Sequence, residues 1–241
     1  VRYLGPIDGH DIEALESALR DASSYEDGPI VVHVLTDKGR GYAPAEEDHE
    51  KHLHDIGSFD PLTGNSSSQG GNTFTSEFSS ALMDIAERRD DVVAITAAMP
   101  GSTGLLPFQQ RYPERFFDTG IAEQHALTSA AGMARAGLRP FVAVYSTFLA
   151  RGFDQVMYDI GLHALPVVIC IDRAGITGPD GSSHHGVHDI AMYTRVPGMT
   201  IFAPSSLQEL PIMLNQALEI EDGPVAIRWP RGSATESEDV G

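Results

Sequence analysis

From Phe74 to Arg228 the chain alternates short, β-branched apolar runs with longer segments of helical period, and this alternation restricts it to few folds. Phe74–Arg89 reads as a helix with Phe78, Leu82, Ile85 and Ala86 as its apolar positions. Val92–Thr96 reads as a strand, Phe116–Phe117 as a short second one, Ala122–Ala136 as a helix of small residues and Pro140–Tyr145 as a strand. Phe148–His163 then reads as a helix, Pro166–Ile171 as a strand, Ser206–Glu219 as a helix and Pro224–Arg228 as a strand. Such units expect an α/β domain over residues 72–232, with a doubly wound, mainly parallel sheet flanked by helices. In such a sheet, ligands bind outside the carboxyl ends of the strands.

Ahead of this domain, Asp8–Ala22 reads as a helix capped by Asp8 or His10, and Pro29–Thr36 as a buried strand. The polar span Gly39–Gly71 shows no periodicity and is too long for an ordinary connection. His49, His52 and His54 lie in it, and with no cysteine beside them a solvated cluster is a simpler reading than a metal site. Residues 1–60 thus read as a helix–strand–loop piece that cannot fold as a domain alone, 61–71 as a linker, and 233–241 as the start of another linker. The opening Val1-Arg2-Tyr3-Leu4-Gly5 carries neither an initiator Met nor a signal peptide and is read as the cut edge of a longer chain.

A formal net charge of −18 argues against nucleic acid and anionic membrane surfaces as partners. No apolar run approaches the roughly 20 residues that span a bilayer. The lone Cys170 supports no disulfide framework, which fits a cytoplasmic protein. Against so acidic a background, arginines beside glycine-rich turns stand out as candidate anion binders.

Candidate chemistry gathers at predicted strand ends. In Asp118-Thr119-Gly120-Ile121-Ala122-Glu123-Gln124-His125, a glycine turn delivers Glu123 to the first turn of a small-residue helix. The macrodipole alone could explain that carboxylate, at about 0.3–1 kcal/mol. Tyr145-Ser146-Thr147-Phe148 ends a strand in aromatics, with Arg151 close behind; core packing explains Phe148 equally well, and Arg151 could simply snorkel. Ile171-Asp172-Arg173-Ala174-Gly175 leads to Asp180 and the pair His184-His185, so Arg173 and His184 could bind an anion and shuttle a proton, while a surface Asp172–Arg173 pair is the plainer alternative. Arg231, just after the last strand, is a further anion-binding candidate. No phosphate loop, nucleophile elbow or zinc signature is present, so spacing alone names no reaction.

Taken together and in order, Gly5-Pro6-Ile7-Asp8-Gly9-His10-Asp11, Lys38-Gly39-Arg40-Gly41-Tyr42, Ile121-Ala122-Glu123-Gln124-His125, Tyr145-Ser146-Thr147-Phe148, Ile171-Asp172-Arg173-Ala174-Gly175 and Pro230-Arg231-Gly232 closely resemble the 1-deoxy-D-xylulose-5-phosphate synthase family of transketolase-like thiamine diphosphate enzymes. The resemblance implies a central fragment: residues 1–60 as the end of a diphosphate-binding domain plus an inter-domain loop, and 72–232 as a pyrimidine-binding domain. It implies thiamine diphosphate as cofactor and Mg²⁺ held by the absent part of the first domain. The parent enzyme is expected to be a homodimer that condenses pyruvate with D-glyceraldehyde 3-phosphate, losing CO₂, in isoprenoid precursor synthesis; the isolated chain is expected to be inactive. Glu123 matches the family carboxylate that contacts the aminopyrimidine and promotes loss of the thiazolium C2 proton, and Phe148 the ring against the pyrimidine. Tyr145, Arg173, Asp180, His184 and Arg231 match substrate-lining positions, with His184 and His54 as further catalytic candidates. Arg151 stays open between a structural and a catalytic role. Two other readings compete: a non-catalytic pyrimidine-domain binding or dimerisation module, and one subunit of a split transketolase-like enzyme.

Overall fold

The computed structural model describes residues 1–49, 52–54, 56–65 and 72–232, which fall into two compact units, Val1–Gly70 and Gly71–Gly241. The expected linker 233–241 and residues 66–71 of the other linker lie outside the described residues.

In the first unit, β1 (Arg2–Asp8), α1 (Ile12–Ser23) and β2 (Ile30–Leu35) form a parallel βαβ pair, followed by the short α2 (Ala43–Glu47). Sequence periodicity missed β1 and α2. It also misplaced the helix start: the cap is Asp11, whose side chain accepts the Ala14 N–H at 3.0 Å, rather than Asp8 or His10. Asp8 instead closes the turn by accepting the His10 N–H at 2.9 Å. No residue of α1 is buried, and Tyr3, Ile12, Leu19, Val31 and Leu35 stay exposed, so the strand expected to be buried over Pro29–Thr36 instead alternates half-buried and exposed residues.

The second unit begins with α3 (Phe74–Arg88), opened by a capping box in which the Thr73 hydroxyl accepts the Ser76 N–H and the Ser76 hydroxyl accepts the Thr73 N–H. Then come β3 (Val92–Thr96), α4 (Leu106–Arg111), β4 (Phe116–Asp118), α5 (Glu123–Arg135) and β5 (Arg139–Tyr145). The segment read as one helix over Phe148–His163 is instead broken: α6 (Ser146–Leu149), a 3₁₀ turn (Ala150–Gly152), α7 (Phe153–Gln155) and a π-helical turn (Val156–Gly161). Three helical pitches in one segment shift which faces can pack, a device found often near functional sites. β6 (Val168–Asp172), α8 (Asp189–Tyr193), β7 (Thr200–Phe202), α9 (Glu209–Glu219) and β8 (Val225–Arg228) complete the unit. α4, α8 and β7 are too short for a periodic signal and were not legible in the sequence.

The sheet is six-stranded and parallel throughout, in the order β4-β3-β5-β6-β8-β7. β3, β5 and β6 are buried along their whole length, which is why their sequences are mostly apolar, with the polar Thr96, Arg139 and Asp172 at strand ends. One face packs Phe78, Leu82, Phe108, Leu210, Leu214 and Trp229, and the other Leu127, Leu149, Val156, Ile160, Tyr193 and Ala226. The sheet is therefore doubly wound. After β4 the chain crosses β3 to form β5, so the strand order reverses at β3, and a crevice outside the carboxyl ends is expected there. Among the described residues no helix is long and apolar enough to cross a membrane.

Candidate active site

The carboxyl ends of β4, β5 and β6 carry most of the candidate residues. Glu123 is the first residue of α5 and is 2% exposed, although α5 has no side-chain cap of its own. Its Oε2 is buried without a hydrogen-bond donor; Arg151 Nη1 lies 3.3 Å away, an ion pair whose geometry does not make a hydrogen bond. An ionised oxygen left this way inside a protein is costly and asks for a donor. Gly152 permits the close approach that buries it: a Cβ there would collide with Leu127, one turn along α5 from Glu123. The resemblance left Arg151 undecided; the structure sets it beside Glu123, with its own side chain 54% exposed.

An aromatic group stands at the end of β5. Tyr145 ends β5 and stacks on Phe148 with ring centroids 5.5 Å apart and planes 13° off parallel. His184 meets the Phe148 ring edge-on at 5.4 Å, and its Nδ1 lies 3.1 Å from Ser183 Oγ. The Arg173 guanidinium covers the other aromatic, 4.1 Å from the Tyr145 ring centroid.

Arg173 follows β6 with φ of 57°, the left-handed region that disfavours a residue with a side chain. Its own N–H is held by Asp172 Oδ1 at 2.6 Å, and its Nη1 reaches the same oxygen at 3.0 Å and the Ser102 carbonyl at 2.7 Å. Asp172 is fully buried and its other oxygen accepts from the Thr75 hydroxyl at 2.8 Å. Burial pushes the Asp172 carboxyl above the usual range, against the opposing pull of Arg173 and Thr75. The surface ion pair considered from sequence is thus an ion pair in the interior. Thr75 and Ser102 had no signal in the sequence, because one is a hydroxyl in a helical pattern and the other contributes only its main chain.

A glycine ladder then ties the following loop back, with Gly175 and Gly186 exchanging two N–H···O bonds of 2.8 Å. Within the loop, His185 Nδ1 accepts the Thr177 N–H at 3.2 Å, so the second of the paired histidines is spent on holding the turn while His184 faces the aromatic group. Asp180 and Arg231 pair with each other at 2.6 Å, joining the loop to the end of the last strand. Phe148, Tyr145, Arg173 and His184 are thus linked through contacts, Glu123 meets Arg151, and Asp180 with Arg231 form a further pair between the loop and the end of β8. His54 belongs to the first unit, exposed in a turn, beside His52, whose Nδ1 lies 3.1 Å from the Ala45 carbonyl. Among the described residues no group of His, Cys, Asp and Glu is arranged to hold a metal ion. A flat nitrogen heterocycle with a ring N–H fits what is present: a buried carboxylate oxygen lacking a donor, and an aromatic face offered by Phe148, three residues before the Arg151 that meets Glu123.

Comparison with known proteins identifies the family. Residues 72–236 match the family model described as the transketolase pyrimidine-binding domain, and residues 1–36 match one described as 1-deoxy-D-xylulose-5-phosphate synthase. The chain is 55% identical to a 1-deoxy-D-xylulose-5-phosphate synthase of Mycolicibacterium vanbaalenii over 98% of its own length, and 53% identical to one from Mycobacterium avium over the same share. It spans 37% of the length of each of these relatives. Among solved structures, a split-gene transketolase described as an inactive β4 tetramer is 32% identical with a TM-score of 0.62, covering 71% of this chain and 56% of that one. A transketolase from Leishmania mexicana superposes with a TM-score of 0.64 over 71% of this chain and 27% of its own, at 18% identity, a likeness of fold.

Proposed function

Because the chain belongs to the transketolase pyrimidine-binding domain family, we propose that it is the central part of a thiamine diphosphate-dependent 1-deoxy-D-xylulose-5-phosphate synthase, joining pyruvate to D-glyceraldehyde 3-phosphate with loss of CO₂. The observation that carries the reading is the buried, donor-less Glu123 Oε2 at the strand-order reversal of the sheet. When bound, thiamine diphosphate supplies the carbon nucleophile for the carbon–carbon bond and the electron sink for decarboxylation. Everything else falls to the protein.

Glu123 accepts a hydrogen bond from the protonated ring nitrogen of the pyrimidine. A carboxylate suits this role because only an anionic acceptor stabilises that charge state in a dry pocket. The half-buried Phe148 offers its ring to the pyrimidine face, while Tyr145 fixes its tilt. Arg173 and Arg231 bind the phosphate or carboxylate of substrates; a guanidinium grips such groups bidentately. Asp180 orients Arg231, and His184 moves protons at its imidazole. His54 is a second candidate catalytic histidine, on the resemblance alone. Mg²⁺ belongs with the diphosphate-binding domain, of which residues 1–60 form the end. The working protein is a cytoplasmic homodimer, and the chain alone is inactive.

Glu123→Gln in the full-length enzyme tests the reading. The C2 proton of bound cofactor should exchange about 10²–10³-fold more slowly, the scale on which one charged transition-state contact acts. A rate like that of the parent protein would remove Glu123 from the mechanism. The likeness to a split-gene transketolase favours a second reading, in which this chain is one subunit and the diphosphate domain a separate protein. Gene sequence upstream of Val1 decides between them: a continuous frame encoding a metal-binding Gly-Asp-Gly segment supports the single chain.

A further inference from the structure

We propose that Asp118 is a positioning residue for Glu123, its carboxylate clasping the left-handed end of β3 to the turn that launches α5. The proposal rests on the reading of Glu123 given above. Ala98, two residues past β3, has φ of 61°. A side chain disfavours that conformation, and Ala98 is exposed, so packing does not impose it. Something else must hold it, and such outliers cluster where geometry serves function. Asp118, the last residue of β4, provides the hold: its Oδ1 accepts the Ala98 N–H at 2.7 Å and the Gly120 N–H at 2.9 Å.

The second of those bonds passes the constraint to Glu123. Gly120 has φ of 68°, with no heavy atom within 4 Å of where a Cβ would stand, so glycine is needed there for its conformation and not for room. The Thr119 N–H and hydroxyl both reach the Thr96 carbonyl, at 3.1 and 3.2 Å, which anchors the same turn to β3. The Ala122 N–H then closes on the Gly120 carbonyl at 2.7 Å, and α5 starts at the next residue. A helix whose N-cap makes no side-chain bond takes its starting direction from the segment before it. Here that segment is held to the end of β3 by the Asp118 carboxylate oxygen together with Thr119. The same device recurs at β6, where Asp172 Oδ1 holds the N–H of left-handed Arg173.

The test uses Asp118→Ala, Asp118→Asn, and Asp118→Ala combined with Ala98→Gly. In this chain, hydrogen exchange at the Ala98 and Gly120 amides should speed up in Asp118→Ala and stay slow in Asp118→Asn, whose amide oxygen still accepts. In the full-length enzyme, Asp118→Ala should slow C2 proton exchange on bound cofactor about tenfold, equivalent to about 1.4 kcal/mol, while KM for the substrates changes less than about twofold. Asp118→Asn should stay within about threefold of the parent rate. Adding Ala98→Gly should recover most of the loss, since glycine takes a φ of 61° without being held. Unchanged exchange at both amides overturns the clasp, as does a double variant no better folded or faster than Asp118→Ala. A full C2 exchange rate in Asp118→Ala, with Glu123→Gln slowed, overturns the positioning role. If Glu123→Gln itself leaves that rate unchanged, the cofactor reading fails and takes the catalytic half of the proposal with it, whereas the clasp still stands or falls on the amides.

Discussion

Two buried arginines sit at opposite ends of the same parallel sheet and are used in opposite ways. Arg139, 4% exposed, opens β5 at the amino end. Its Nη1 donates to the Pro166 carbonyl at 3.3 Å, and its Nη2 to the carbonyls of Ala217, Leu218 and Ile220 at 3.0, 2.6 and 2.6 Å. It thereby satisfies the carboxyl end of α9, where carbonyls lack partners and the dipole favours a cation. Burial pulls its pKa down from the ordinary guanidinium value, with the nearby Arg89 charge acting in the same direction.

Arg173, 8% exposed, follows β6 at the carboxyl end. Its Nη1 is shared between one carboxylate and one carbonyl, and its plane covers Tyr145, while its Nε, like that of Arg139, has no partner. It also sits in a disfavoured backbone conformation. The first arginine is committed to main-chain acceptors from several elements. The second is aimed rather than committed, and aiming requires strain. The difference shows how to separate a structural charge from a functional one when both are buried: by asking what its donors meet.

Arg139→Met should sharpen the contrast most. It leaves the carbonyls at the end of α9 without a donor and should cost about 3 kcal/mol of stability, read from the urea midpoint. A loss under about 1 kcal/mol would mean that water replaces the guanidinium freely and that this end of the sheet is not the structural one. Arg173→Met should cost less stability but, on the proposed function, raise KM for D-glyceraldehyde 3-phosphate in the full-length enzyme about thirtyfold, or about 2 kcal/mol. If instead stability collapses and KM is unchanged, the comparison inverts.

The same Arg173→Met variant carries a pH signature. Asp172 already has a raised folded-state pKa through burial, and removing the opposing Arg173 charge raises it further. A raised carboxyl adds stability that is complete below its unfolded value, about 3.9, and is lost as pH rises through the folded value. The deficit of the variant relative to the parent should therefore be greatest at neutral pH and shrink as pH falls toward about 4. A pH-independent deficit in denaturation curves would show that Asp172 does not titrate as the geometry demands.

Asp91→Asn should be the mildest. The Arg89 side chain hydrogen-bonds Asp91 and holds its carboxyl below the usual range, so its contribution exists above about pH 4 and disappears as pH falls through the lowered value. With the side chains of Arg89 and Asp91 41% and 33% exposed, solvent screens the pair, and under about 1 kcal/mol is expected at neutral pH. A calorimetric difference that persists at pH about 2 would contradict the sign.

Much of the fold was legible because it depends on repeated local patterns. β3, β5, β6 and β8, with α3 and α5, appear within a few residues of where apolar runs and helical spacing put them. The pieces that were not legible have local reasons. β7 has three residues and α8 five, too few to show a period. The helix expected over Phe148–His163 kept its helical residues, but its pitch changes are not encoded in periodicity, and at Gly152 the chain passes against Leu127 of α5. The carboxylate at position 123 was visible as a residue, with the macrodipole as a sufficient explanation; its burial and lack of a donor were not.

The sequence by itself determined the alternation of strands and helices in the second unit, its wholly buried parallel strands β3, β5 and β6, and which side chains stand at strand ends. These depend on hydrophobic period and on chain direction, and both are properties of neighbours along the chain. Only the tertiary structure decided which of those side chains meet. It set Arg151 against Glu123, put Arg173 under Tyr145, paired Asp180 with Arg231, and made Asp118 the clasp between Ala98 and Gly120. Each of these joins residues that follow different strands, and their distances depend on strand order in the sheet. Strand order is settled by packing between distant segments, so local sequence could name the participants without saying how they are arranged.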